Sequence, residues 1–484
     1  MKLNFVLASI LVSTGLFAQN IDDVVRYSQT NTGSTALSMG MGGSTGAVGA
    51  DFSSASTNPA GLGLFRQSEF AASPSIFNYS GKADYYGTQE SDRKFNFNLT
   101  DFHLVLHTPA ANRLKTKGWM GTTFAIGYSK NNNLSEQWTY RGFNPSNSIV
   151  NAFAATANGK TPDDLADADE YLAYQSYLID NVVDSAGNTS YTSLLGPNQG
   201  GITQRGTIEG RGRIGETDIA FAGNYSNRLY LGATLAFRRI VFEQTNTYTE
   251  RDDLDSLPTF NSLVYTRTLT DKAMSIALRL GAIYRINDYV RIGASAFVPL
   301  DYTVNSEYSY DLSSSLSTGD FNPTPFSGTY KYKIRQPARL TGSAAFILGK
   351  KGIISVDYEA VNYSQSKLVE NAGTFDNTND AIRTKLQPTA NLRVGGEARF
   401  DDMYLRGGFQ LNGSPYSSSN NNQSIKLYSI GGGYRDQDFY MDVAYVYSQQ
   451  SKNYYPYNPN LVSVQPVSLS STRHQVVFTI GTRF

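Results

Sequence analysis

The chain contains no cysteine. That absence excludes a disulfide framework, a thiolate metal site and a cysteine nucleophile. Histidine is nearly as scarce, with only His103, His107 and His474 present. His103 and His107 share one face of a candidate strand, but four residues of extended chain put them roughly 13 Å apart, too far for one metal ion. His474 has no recognisable serine or asparagine setting that a lipase would need. No catalytic residue, metal site, phosphate loop or cofactor motif emerges, so the chain does not read as an enzyme. Charge of one sign is also missing: 41 basic residues balance 41 acidic ones, which excludes the clustered basic excess of a nucleic-acid partner.

Long apolar runs are missing too. The longest, Leu3 to Phe17, follows Lys2 and ends at Ala18-Gln19; it has the length and flanks of a secretory signal, expected to span residues 1–18. Elsewhere nothing approaches the ~18 apolar residues of a spanning helix. An exported chain without such a helix crosses a membrane only as a closed barrel, because hydrocarbon satisfies no backbone group.

What is abundant points the same way. There are 43 Gly, 33 Tyr and 26 Phe, a balance unlike that of a large soluble enzyme. The stretch Ala36–Phe65 (ALSMGMGGSTGAVGADFSSASTNPAGLGLF) carries one ionisable residue, Asp51, and no sustained amphipathic period. Small residues of this kind allow close packing inside something else. We therefore expect a plug over residues 19–66 and a barrel over 67–484 that encloses it.

From Glu69 onward short turns alternate with long polar loops. The turns lie at 225–228, 286–289, 349–352, 401–402 and 435–438, the loops near 81–93, 143–206, 251–262, 312–327, 369–379, 413–423 and 451–470. Periplasmic turns opposite extracellular loops are the pattern of an outer-membrane barrel. The segments between them number 14, running from 68–80 to 471–484, with one of them placed at 380–400. Their faces alternate: Val476, Phe478 and Ile480 against Gln475 and Thr479, and Phe439, Met441 and Val443 against Tyr440 and Asp442. The expected fold is all-β, a 14-stranded antiparallel transmembrane barrel with a lumenal plug. One strand changes parity: Phe95, Phe97 and Leu99 are odd, whereas Phe102, Leu104 and Leu106 are even. A bulge near Thr100-Asp101 would reconcile them, and so would an upper part of the strand that stands above the membrane, where no parity is enforced. Within the long loop 143–206, residues 163–183 suggest an amphipathic helix whose carboxylates form a solvated face.

The segment GADFSSASTNPAGLG (residues 49–63), the signal, the alternating strands and the terminal Phe484 together resemble the FadL family of outer-membrane transporters for hydrophobic compounds. GIISVDYEAVNY (352–363), LRGGF (405–409) and GGGYRDQDFYMDVAYVY (431–447) add to the likeness, and the Gln/Asn/Ser-rich loops are of a kind seen in Bacteroidetes relatives. The resemblance implies a plug motif at Asn58-Pro59-Ala60-Gly61, read as a gate. It implies passive uptake of hydrophobic small molecules, long-chain fatty acids among them, in the outer membrane of a Gram-negative bacterium. The expected partners are the ligand, the surrounding lipid and, through Phe484, the barrel assembly machinery; no cofactor is expected. Of the lumenal charges, Arg279, Arg393 and Arg406 are candidates for a ligand carboxylate, since Arg offers it two parallel donors. Cross-strand pairing with lumenal acids accounts for the same residues without a ligand. Two other functions fit the barrel: a structural or interaction protein whose plug never opens, and a polar-solute porin. Exit through the wall and exit to the periplasm both fit the sequence.

Overall fold

A computed structural model describes the chain except residues 1–20, 30–32, 113–116, 166–167, 197–200 and 371–374. The expected signal at 1–18 lies outside the described residues. Fourteen antiparallel strands close into a barrel: β1 Glu69–Tyr85, β2 Thr88–Pro109, β3 Trp119–Asn133 continued by Glu136–Asn144, β4 Ile202–Tyr225, β5 Leu229–Arg251 and β6 Phe260–Arg285. Next come β7 (Val290–Pro299 and Tyr302–Leu316), β8 (Phe326–Arg335 and Arg339–Ile347) and β9 (Gly352–Asn362, then Lys367–Val369). The barrel is completed by β10 Pro388–Phe400, β11 Met403–Asn412, β12 Ile425–Arg435, β13 Phe439–Tyr454 and β14 Val467–Arg483. Closure runs from the pair Glu69–Arg483 to Asp84–Ser468, between β1 and β14. Period-2 alternation sets the faces as expected: Phe478, Ile480, Met441 and Val443 point out and are exposed, whereas Thr479 and Asp442 are buried inside. An apolar outer belt around a polar interior is what lipid on the outside requires. No helix among the described residues is long and apolar enough to cross a membrane.

The short turns sit at one end. Ser226 and Asn227 both take positive φ (54° and 55°), the geometry that reverses two twisted strands in two residues. The expected bulge is present. Ser73 pairs with Asp101 and Pro74 with Leu99, so Thr100 is the extra residue. Its hydroxyl donates to the Ser73 carbonyl at 2.6 Å, beside a proline that has no N–H to give.

Three readings change. Residues 81–93 are not a loop but a continued hairpin, turned at Tyr86-Gly87 (φ 48° and 79°). Residues 380–387 are not strand: a helix occupies Asp376–Lys385, and β10 starts only at Pro388. The helix expected over 163–183 is shorter, Ala168–Gln175, followed by the hairpin Ile179–Val183/Thr189–Ser193. Tyr177 at φ 57° ends it. With the helix Ile149–Ala157 these pieces form a cap whose Phe153, Leu172 and Leu178 pack on Tyr248 and Tyr265 of the barrel rim.

Inside the barrel lie α1 (Ile21–Ser28), α2 (Ala36–Gly40), α3 (Ser54–Thr57) and a 3₁₀ turn, Pro59–Leu64. Thr35 caps α2, its hydroxyl accepting from Ser38 N at 3.2 Å and donating to Asp51 at 2.9 Å. Burial pushes the Asp51 carboxyl above its ordinary value, against hydrogen bonds from Ser53 that favour the charge. Glycines on the inner wall make the room. A Cβ on Gly232 would stand 2.3 Å from the Pro59 carbonyl carbon, and one on Gly281 2.0 Å from Asn58 Oδ1. On the far side, Gly395 and Gly408 would each strike the Met41-Gly42 backbone at 2.2 Å. Wall and plug are thus fitted backbone to backbone.

Candidate functional site

The plug turn is held by its asparagine. Asn58 Nδ2 donates to the Gly46 carbonyl at 2.7 Å and to the Ala282 carbonyl of β6 at 3.3 Å, and its Oδ1 accepts from Ala60 N at 3.3 Å. Pro59, Ala60 and Gly61 are buried behind it. The turn therefore ties the plug both to itself and to the wall.

Around the plug, acids and bases pair. Arg279 reaches Glu216 at 2.5 Å and Asp218 at 3.3 Å, and Glu216 also meets Arg238 at 3.1 Å. Glu359 receives Arg393 at 3.0 Å and Arg339 at 3.1 Å. Arg406 lies between Glu397 (2.6 Å) and Asp442 (2.5 Å). All three candidate arginines are thus buried on carboxylates. The network also grips the plug: Arg339 donates to the Ser28 carbonyl, Arg291 to the Val48 carbonyl at 3.0 Å, and Asp357 accepts from Gly46 N at 3.0 Å. Arg279 and Arg393 border a void of about 40 Å³ next to Thr57; Arg406 does not.

His103 and His107 share the inward face, as their spacing indicates. His103 is buried, 2.7 Å from Asp101 and 3.3 Å from Glu69, with its ring stacked on Phe52 of the plug at 4.5 Å. It locks the plug to β2. No group of three or more potential metal ligands occurs among the described residues.

Above the plug opens a chamber of about 740 Å³. Its walls mix aromatic rings (Phe242, Tyr310, Tyr416, Tyr454) with amides such as Asn133 and Gln450. α1 enters from below and is fixed there by Tyr27 on Asp271 and by Tyr416 on Asp22. Arg267 also faces this chamber. Its guanidinium lies 5.4 Å from the Tyr265 ring centre, and no carboxylate of the described residues is within ion-pair distance. Parity alone places Arg267 on the same face of β6 as Arg279, a signal that would have found it in the sequence.

One part of the wall is different. β2 pairs with β3 only from Asp101–Ser129 down to Pro109–Gly121. Above that level β2 continues on β1 alone, and β3, after a bulge at Asn131, turns across on β4 alone. Two side-chain bonds bridge the seam, Asn133 donating to Asn96 at 3.3 Å and Lys130 to Asn98 at 2.5 Å, and Asn98 donates along β2 to Asn96 at 2.5 Å. Asn132, Asn133 and Leu134 at this break also line the chamber. On the outside, Phe95 and Phe97 are 68% and 69% exposed. Phe97 lies opposite Ile76, which lies opposite Val476 of the apolar belt. The seam therefore opens at the height of the belt's upper half.

No protein-family model matches the chain, and no curated protein does. Solved structures do. A FadL homologue from Pseudomonas aeruginosa aligns over 94% of this chain and 98% of its own at 11% identity, with a TM-score of 0.55. The toluene transporter TodX of P. putida gives 12% identity, 94% and 99% coverage and a TM-score of 0.55. The Ralstonia pickettii toluene transporter TbuX gives 16% identity, 94% and 99% coverage and a TM-score of 0.50. The chain has the fold of these barrels over nearly its whole length.

Proposed function

We propose that this chain is an outer-membrane channel for passive uptake of hydrophobic small molecules. One observation carries the reading: a chamber of about 740 Å³ that ends at a seam in the wall lacking ladder hydrogen bonds. An apolar solute entering under the cap is held against aromatic rings. It gains little from an aqueous pore and much from lipid. Leaving between β2 and β3, past the Asn96, Asn98 and Asn133 amides, it meets Phe95 and Phe97 and then acyl chains. The backbone has nothing to break there, only side-chain bonds.

The cargo is proposed more finely as amphipathic acids such as long-chain fatty acids. Arg267 supports this reading, as a chamber cation with no carboxylate at ion-pair distance among the described residues. The toluene transporters among the structural neighbours support an uncharged aromatic as the competing cargo. The test is photolabelling of the reconstituted barrel with a diazirine-bearing fatty acid and a diazirine-bearing alkylbenzene, followed by peptide mapping. Labels on the chamber wall and on 95–98 support uptake through the seam. Labels confined to the outer belt would contradict it.

A second exit is favoured by the small void beside Thr57. There the turn Asn58-Pro59-Ala60-Gly61 acts as the gate, and Arg279 and Arg393 are the first lumenal cations a ligand meets once the turn moves. Arg406 comes into play only if its pairs with Glu397 and Asp442 part. The plug's fit against Gly232 and Gly281 favours the lateral route.

A further inference from the structure

The outer face of the barrel is not uniform above its apolar belt. On β4 to β8, Phe237 and Ile276 are an opposed outward pair at the belt's upper edge. The next outward row is Arg239, Met274, Thr303 and Lys333, each paired with the next across the sheet. The row above is Arg213, Val241, Lys272, Asn305 and Lys331, paired in the same way. All five basic residues are exposed. They stand within four strand spacings, about 19 Å, of one another.

Like charges on diagonal positions of one sheet face repel, and Arg239 has Arg213 on one diagonal and Lys272 on the other. The acids nearby offset only Lys272, and Arg213, Arg239, Lys331 and Lys333 have no carboxylate of the described residues at ion-pair distance. Glu307 is 3.8 Å from Lys272, Asp301 is engaged by Arg335 in two bonds of 3.0 Å, and Glu243 lies opposite Arg211 one row higher. The opposite wall, on β12 and β13, presents Tyr428, Tyr445, Tyr447 and Gln449 outward, with Lys426 opposite Gln449 in the top row. That is an ordinary neutral aromatic interface.

We propose that the β4–β8 patch binds the phosphate-bearing headgroup of an outer-leaflet lipid. The patch lies immediately above apolar surface, where a headgroup sits when its chains pack on Phe237 and Ile276. Its arginines and lysines suit phosphate oxygens. A protein partner would have to insert into the lipid boundary to reach it. The inference rests on the barrel standing in a membrane, and not on its cargo.

The test reconstitutes the full barrel in nanodiscs that contain bisphosphorylated lipid A or its dephosphorylated counterpart, and counts retained lipid by native mass spectrometry. Insertion itself checks the membrane reading, since a chain that does not insert fails there and not at the patch. The expected result is preferential retention of the phosphorylated lipid. Each charge removed should weaken it about fivefold, so R239Q/K272Q/K333Q together should weaken it on the order of 100-fold. K426Q on the far wall should leave it unchanged. Heat-modifiable gel migration verifies that each variant is folded. Equal retention of both lipids, or a triple variant that retains lipid as the parent does, would overturn the proposal. So would complete displacement by millimolar inorganic phosphate, which would assign the patch to the free ion.

Discussion

The lower and upper halves of the lumen are built on opposite terms, and β6 passes through both. At its lower level Arg279 is locked between Glu216 and Asp218. Twelve residues earlier on the same face, Arg267 looks into the chamber beside the Tyr265 ring, whose hydroxyl donates to Asp169, with no carboxylate of the described residues at ion-pair distance. Below, water has been replaced by a plug fitted against glycine, and the most deeply buried cations, Arg238, Arg279, Arg393 and Arg406, each have a carboxylate beside them. Above, the space is open and aromatic, and a cation can meet a solute. The difference separates charges that hold the molecule together from charges available to a ligand.

The comparison breaks most visibly if a lower pair is cut. Replacing Arg406 by Leu takes the cation from Glu397 and leaves buried Asp442 with Arg435 alone at 3.0 Å, and about 3 kcal/mol of stability should be lost. Urea unfolding in detergent micelles measures it. The plug's fit comes next. G281A places a methyl where Asn58 Oδ1 stands and should cost about 1–3 kcal/mol, displacing the turn and raising single-channel conductance in a planar bilayer. In the upper half the effect should be on binding only. R267Q should weaken capture of a fatty acid about tenfold or more, leave an alkylbenzene unaffected and change stability by less than ~0.5 kcal/mol. The smallest effect concerns Asp51. Its carboxyl is held above the ordinary value, so the folded plug binds a proton more tightly than the unfolded chain does. Plug docking should therefore strengthen as pH falls through that raised value toward the ordinary carboxylate range, and D51N should flatten the dependence. Hydrogen exchange of residues 36–65 at several pH values reads both.

Much of the architecture was legible in the sequence, because a closed sheet writes its faces in period 2. The Thr100 bulge was legible for the same reason: outward residues that switch from odd (Phe95, Phe97, Leu99) to even (Phe102, Leu104, Leu106) require one extra residue between them. The helix at Asp376–Lys385 was not. What fixes it is burial of Ile382 and of Phe375, whose ring meets Tyr330 and Tyr332 from β8, contacts between segments more than 40 residues apart. The seam was hidden for a subtler reason. Phe95-Asn96-Phe97-Asn98 alternates identically whether or not a neighbouring strand completes its ladder. Arg267 and Arg279 likewise share a face, and only the third dimension assigns carboxylates to one of them.

The central claim is that cargo leaves through the wall between β2 and β3. Since the chain has no cysteine of its own, two engineered pairs can be bridged cleanly with a short thiol cross-linker. N96C/N133C would staple the seam, and T57C/S295C would staple the plug, where Ser295 Oγ already donates to the Thr57 carbonyl at 2.9 Å. Uptake of a labelled fatty acid into proteoliposomes is then followed before and after reductive release of the bridge. The account predicts that the seam staple abolishes uptake reversibly while the plug staple leaves it intact. Full uptake through a stapled seam, lost instead when the plug is fixed, would contradict it.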